Sequence, residues 1–267
     1  MRLEVEGVAF SYGDRRVLDN VSVVVESGDV LGIIGPNGSG KSTLVRCMFG
    51  ALHPACGSVR LDGIDVTRAS RAWIARRVGV CPQSCAPGFP FEVQEFVSMG
   101  RFPHERGIFS EDTPNGAQVV ETALERTGII HLRRRTIDQL SGGEFRKVLL
   151  AQVFAQEPRL LLLDEPLQQL DLRHQLEVMD LVADFARSGE GAAVAVLHDL
   201  NMAARYCGRL LLLSAGCIAA AGSPEEVLTP ERLRVVYGLE TAVRRCEDTG
   251  ALRTVPLAPA PIPVSGG

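Results

Sequence analysis

A chain of 267 residues with 46% hydrophobic content and a net charge of −4 has ordinary globular composition and room for a substantial core. Its mild acidity argues against a dedicated nucleic-acid binder, which carries a basic bias, and the short Arg133-Arg134-Arg135 run reads as a solvated helix end. Glu4 and Glu6 interrupt the N-terminus before an apolar signal core can form, and the longest uncharged stretch, Leu210 to Pro224, holds Gly216 and Gly222 and falls short of the about 20 apolar residues of a membrane span. The expectation is a soluble chain, or one that lies on a membrane through a partner.

In chain order, Leu3 to Tyr12 and Val17 to Glu26 alternate apolar and polar residues around a Gly13-Asp14 turn, the pattern of half-exposed antiparallel strands. Val30 to Ile34 is a continuous apolar run, and Thr43 to Phe49 has helical character. Val59 to Leu61 reads as a short strand ending in the Asp62-Gly63 turn. From about Gln83 to Glu157 the character changes. Phe91 to Met99 and Ala117 to Gly128 have helical spacing on either side of a Gly/Pro-bearing loop at 107–116, and no strand is expected there. Leu160 to Leu163 and Ala193 to Leu197 are again continuous apolar runs, as in strands buried on both faces of a parallel sheet. Ser223-Pro224 and Thr229-Pro230 are helix starts, with a capping residue followed by proline. The tail Pro256 to Gly267 is expected to form no regular element. Seven cysteines, an odd number without a paired C-x-x-C set, read as reduced thiols.

The fold class expected is α/β, with a mostly parallel sheet, an antiparallel β region near the N-terminus and a helical subdomain. Residues 1–83 and 158–240 form the core, 84–157 the helical subdomain, and 241–267 a partly mobile C-terminal extension.

Gly35-Pro36-Asn37-Gly38-Ser39-Gly40-Lys41-Ser42-Thr43 fits the spacing G-x-x-x-x-G-K-[S/T] between a strand and a helix. The glycines let the main chain turn and aim N–H groups at phosphate oxygens, and the helix N-terminus adds partial positive charge. Lys41 is placed to reach the β- and γ-phosphates, and the Ser42 hydroxyl to ligate Mg2+. A second signal is Leu160-Leu161-Leu162-Leu163-Asp164-Glu165. The two acids stand at the C-terminal end of a buried strand, where open α/β sheets place their ligands. Asp164 is the candidate Mg2+ ligand and Glu165 the candidate base for an attacking water; the bland alternative is an Asp-Glu pair capping the turn at Pro166. Leu140-Ser141-Gly142-Gly143-Glu144 has capping-box spacing and a bare, glycine-tipped helix start suited to an anion. Alone it is an ordinary capped helix; beside a complete phosphate loop it suggests an anion site for a partner's nucleotide. His198 at a strand end, Gln83 after Val78 to Pro82, and Tyr12 complete the candidates, each of them weak alone.

In order, Tyr12, the loop at 35–43, Gln83, Leu140 to Glu144, Leu160 to Glu165, Asp171 and His198 resemble the ATP-binding subunits of ABC transporters over about residues 1–240. The resemblance implies an ABC-type P-loop ATPase with ATP and Mg2+ as its ligands. It implies that Tyr12 stacks on adenine, that Gly35 to Thr43 hold phosphate, and that Ser42, Gln83 and Asp164 meet the metal. It assigns Glu165 as base, His198 as the γ-phosphate switch and Gln83 as the reporter to a membrane subunit. Ser141, Gly142 and Gly143 would contact the nucleotide of the opposite subunit, with Asp171 at the dimer interface. The implied partners are a second copy in a homodimer, two membrane-spanning permease subunits and, indirectly, an extracytoplasmic substrate-binding protein, with no nucleic acid. The implied location is peripheral, on the cytoplasmic face of the membrane. Two departures stand out: Leu167-Gln168-Gln169 replaces the usual small or polar residues, and Phe145-Arg146-Lys147 follows the signature segment. Ser98 to His104 resembles a run of iron-chelate, haem and cobalamin importers, and Leu197 to Cys207 is similar to a segment of ferric-siderophore and ferric-citrate import ATPases, which points to a ferric-siderophore cargo. Haem or cobalamin import, or a soluble ABC-type ATPase of cluster assembly, are the alternatives.

Overall fold

The computed structural model describes residues 1–83, 89–104, 115–189 and 191–260. Strands β1 (Arg2–Tyr12) and β2 (Arg15–Glu26) pair antiparallel across the Gly13 turn. Their alternation turns Leu3, Val5 and Val8 of β1 and Leu18, Val21 and Val25 of β2 inward, as period-two patterning requires. Strand β3 (Val30–Ile34) leaves this layer for the central sheet, while β4 (Cys56–Leu61) and β5 (Ile64–Asp65) complete the antiparallel sheet in the order β2-β1-β4-β5.

The central sheet adds β6 (Val78–Cys81), β7 (Leu160–Asp164), β8 (Ala192–Val196), β9 (Arg209–Ser214) and β10 (Cys217–Gly222) in the order β10-β9-β3-β8-β7-β6. All neighbours are parallel except β10, which runs antiparallel to β9. Every residue of β3, β7 and β8 is buried, because both faces are covered. Successive residues therefore serve different cores. Leu31, Ile33, Leu160, Leu162, Val194 and Val196 face the antiparallel sheet and helix α1 (Lys41–Met48). Val30, Ile34, Leu161, Leu163, Ala193 and Ala195 face the opposite side. There they meet α5 (Gly142–Ala155), α6 (Leu172–Arg187) and α7 (Leu200–Tyr206). Each buried leucine contributes about 1.5–3 kcal/mol relative to an exposed one.

A short helix, α2 (Arg71–Ala75), precedes β6. The helical region holds α3 (Val93–Ser98), a 3-10 turn at Met99–His104, α4 (Gly116–Arg126) and α5. As expected, its described residues contain no strand, only an isolated bridge between Glu92 and Thr136. The loop expected at 107–116 falls largely outside the described residues, as does Cys85. Arg133 to Arg135 are exposed. Cys47, Cys81 and Cys207 are buried in the core, whereas Cys56 and Cys217 are exposed. Helices α8 (Pro224–Val227) and α9 (Pro230–Tyr237) start at Ser223 and Thr229, whose hydroxyls cap them.

The C-terminal region corrects the expectation of a structureless tail. Strands β11 (Leu239–Arg245) and β12 (Leu252–Pro259) form an antiparallel hairpin with Pro256 opposite Thr241 and Pro259 opposite Leu239. Strand β12 has a strand neighbour on one side only, so a proline lacking an N–H is tolerated there. Residues 261–267 lie outside the described set. Among the described residues, no helix is long and apolar enough to cross a membrane.

Candidate active site

Four adjacent parallel strands, β3, β8, β7 and β6, end along one edge of the sheet, in register at Ile33 with Val196, Asp164 with Val196, and Cys81 with Leu163. Their C-terminal loops deliver the phosphate loop, His198, the Asp164-Glu165 pair and Gln83 to one place. The loop after β3 turns into α1 at Gly40, with φ of 104°. A β-carbon there would stand 2.8 Å from the Val17 carbonyl oxygen and 2.7 Å from Leu18 Cδ2, so only glycine fits.

The Lys41 ammonium donates to the carbonyls of Gly35 and Pro36, both at 2.9 Å. Burial pulls its pKa below the ordinary lysine value, opposed by Glu165 and Asp164 nearby. The Ser42 hydroxyl donates to Asp164 Oδ1 at 2.8 Å. Asp164 is only 7% exposed; burial lifts its carboxyl above the usual range and Glu165 adds to this, while the bond from Ser42 opposes it. A buried carboxylate beside a hydroxyl is a hard-oxygen pair that suits Mg2+, an ion bound through one or two protein oxygens together with water and substrate phosphates.

Glu165 follows in the left-handed region, with φ of 53°, which turns its side chain away from that of Asp164. Its Oε1 lies 2.7 Å from His198 Nε2, and its Oε2 accepts from Gln83 Nε2 at 2.8 Å. A carboxylate only accepts, so Nε2 of His198 carries the proton. Gln83 also donates to Gln168 Oε1 at 3.2 Å. It meets both partners through nitrogen, so its amide oxygen is the atom it can turn to a metal. A cavity of about 330 Å3 opens beside this carboxylate, lined by Tyr12, Arg15, Val17, Asn37, Gly38, Gly40, Lys41, Ser42, Thr43 and Glu165. Tyr12 is 48% exposed and braced edge-on by Phe10, with centroids 4.9 Å apart. Ser39, within the loop, is buried.

The glycine-tipped segment lies elsewhere. Ser141 caps α5 in a full capping box with Glu144, and Ser141 and Gly142 are exposed; neither they nor Gly143 lines the cavity. Gly143 is buried against His174. Asp171 caps α6, accepting from the His174 main chain at 2.9 Å and facing its Nδ1 at 2.8 Å.

Sequence reasoning missed several residues. Arg15 and Val17 line the cavity, and Gln168 shares Gln83. Arg146, itself buried, donates to the carbonyls of Pro82 at 2.9 Å and Gln83 at 3.1 Å; a charge on the inward face of an apolar helix was the available signal. Lys147 forms an ion pair with Glu177 of α6.

Residues 18–168 match the family model described as ABC transporter. The chain is 44% identical over 253 residues to a hemin import ATP-binding protein of Pseudomonas aeruginosa, covering 93% of this chain and 97% of that protein. It is 38% identical over 256 residues to a ferric enterobactin transport ATP-binding protein of Escherichia coli, covering 96% and 94%. A cobalamin import ATP-binding protein of Halobacterium salinarum is 41% identical over 257 residues; 96% of this chain aligns, spanning 64% of that relative's length. A solved structure described as an inward-facing conformation of a putative metal-chelate type ABC transporter superposes with a TM-score of 0.83 at 29% identity, covering 96% of this chain and 97% of that one. With a phosphate loop, an acid pair and a histidine at adjacent strand ends, and with these relatives, the chain belongs to the ABC transporter family, among its ATP-binding proteins.

Proposed function

We propose that the chain is an ATP-hydrolysing subunit that powers import of an iron complex of the ferric-siderophore kind. The observation that carries this reading is Glu165, with one carboxylate oxygen on His198 and the other on Gln83, at the edge of the phosphate-loop cavity. An ammonium has three N–H donors; two of those of Lys41 hold loop carbonyls, which leaves the third for a phosphate oxygen. Ser42 and Asp164, with Gln83 close by, would hold Mg2+, which would supply neutralisation of phosphate charge. His198 transfers its Nε2–H bond from Glu165 to the γ-phosphate, which releases Oε1 of Glu165 to accept the proton of the attacking water. Tyr12 offers an exposed ring for adenine.

Ser141 and Gly142 lie outside the cavity of their own chain, which supports a head-to-tail homodimer in which each copy lends its α5 terminus to the other's triphosphate, with Asp171 between the copies. Phe89 and Phe102 are large exposed side chains in the helical region and suit docking of a permease pair, which supports a peripheral location on the cytoplasmic face of the membrane. The iron-complex cargo is supported by the likeness of residues 197–207 to ferric-siderophore and ferric-citrate import ATPases and by the hemin and ferric enterobactin relatives. The 44% identity to a hemin import protein favours haem as the second reading.

Glu165→Gln should keep Mg-ATP binding, cut turnover by roughly 10² or more, about 2.7 kcal/mol, and trap a dimer on gel filtration. A fully active monomer overturns the assignment. Uptake of labelled ferric siderophore, haem and cobalamin by cells lacking this gene tests the cargo. Loss of haem or cobalamin uptake alone replaces the siderophore reading, and hydrolysis with no uptake defect favours a soluble ATPase.

A further inference from the structure

The C-terminal hairpin is tied to the helix that follows His198. Helix α7 begins at Asp199, whose Oδ1 accepts from the main-chain N–H groups of Asn201 at 2.7 Å and Met202 at 3.1 Å. The side chain of Asn201 faces the hairpin: its Oδ1 accepts from both the N–H of Thr254 at 2.7 Å and the hydroxyl of Thr254 at 3.1 Å. Thr254 is 5% exposed and stands opposite Val243 in β11. Val243 and Leu252 pack on the main core, so the hairpin is a fixed support. Hydrogen bonds shielded from water are costly to leave unmade.

We propose that Asn201 is a positioning residue for His198: the hairpin, acting through the Asn201 side-chain oxygen, holds the first turn of α7 so that the imidazole stays within bonding distance of Glu165. His198 immediately precedes the Asp199 cap, so a shift of the α7 start moves the imidazole directly. This rests on the roles of His198 and Glu165 proposed above. Asn201 touches no substrate in this scheme; it acts through the neighbouring main chain.

The test uses the full chain. Asn201→Ala removes the acceptor, Asn201→Asp keeps it, and Thr254→Val removes the hydroxyl donor alone. Melting temperature, affinity for a fluorescent ATP analogue, kcat and KM are measured for each. Asn201→Ala should lower kcat by roughly tenfold or more, the scale on which small displacements from reacting geometry act, with KM and nucleotide affinity unchanged. Asn201→Asp should restore the rate, and Thr254→Val should give a smaller loss. In a His198→Ala background, followed by single turnover, Asn201→Ala should add nothing. Full kcat in folded Asn201→Ala while His198→Ala collapses overturns the link, as does an undiminished Asn201→Ala effect without His198. If Asn201→Ala does not fold, Thr254→Val carries the decision, and a wild-type rate there overturns the proposal. Wild-type turnover in both Glu165→Gln and His198→Ala would remove the site reading itself, and the positioning role with it.

Discussion

The ring of His174 lies directly on Gly143: a β-carbon at that glycine would stand 2.3 Å from ring Cδ2 and 2.4 Å from Cγ. Nδ1 of the same ring faces Asp171 at 2.8 Å. One imidazole therefore joins the start of α5 to the start of α6, two segments that sequence reasoning placed at a dimer interface without connecting them.

Gly143→Ala should consequently push the two helix starts apart. Overpacking of this kind costs about 1–3 kcal/mol, read as a lowered melting temperature. Turnover should fall with it, while nucleotide affinity of the single chain stays unchanged, because Gly143 is outside the cavity. Adding His174→Ala makes room and should recover most of the stability; a double variant no better than Gly143→Ala would contradict the packing argument.

Lys41→Ala removes the donor that stitches Gly35 and Pro36 together and that is proposed to bind phosphate. Charged hydrogen bonds contribute about 1.5–3 kcal/mol each, so Mg-ATP affinity should drop by at least roughly tenfold. Turnover should be abolished. Equilibrium titration with a fluorescent ATP analogue and a phosphate-release assay check both, and near-normal hydrolysis would refute the role.

Asp164 sets a pH dependence. Its carboxyl has an ordinary value of 3.8 and titrates above it in the folded chain, chiefly through burial. In the window between 3.8 and that raised value the folded chain binds more protons than the unfolded one, so stability falls as pH rises through the window. At neutral pH the buried ionised group therefore costs stability. Asp164→Asn, whose amide oxygen still accepts from Ser42, should raise the melting temperature of the metal-free protein at pH 7, and the gain should vanish at pH values below the ordinary carboxylate range. Turnover should be lost in the same variant. A melting temperature lower than wild type at pH 7 would show that Asp164 is better solvated than its burial indicates.

Arg146→Met keeps the aliphatic stem and removes the donors to Pro82 and Gln83. The loss should be about 2 kcal/mol in unfolding free energy, the scale of hydrogen bonds from a charged group. Because Gln83 then loses its anchor beside Glu165, kcat should fall in parallel with that of Gln83→Ala. Denaturant unfolding and steady-state kinetics on both variants test this; a stable, fully active Arg146→Met would dissociate the anchor from the site.

What is contiguous in the chain was legible in it. The phosphate loop, the capping box at Ser141 and the acids closing β7 are each carried by residues a few positions apart, and their chemistry follows from that spacing. Continuous apolar runs at β3, β7 and β8 announced a sheet covered on both faces, because a strand buried on both sides has no polar face to show. The helix starts at Ser223 and Thr229 were equally local. Only the tertiary structure decided which loops become neighbours. Strand order β3-β8-β7-β6 brings His198 and Gln83 to opposite oxygens of Glu165, and no local pattern encodes strand order. Packing alone placed His174 on Gly143 and Arg146 under Gln83, since each contact joins residues far apart in sequence. The hairpin at residues 239–259 was illegible because its prolines argue against a strand; pairing on one side only removes the need for the missing N–H, and the Asn201–Thr254 bonds give the hairpin its place against the site.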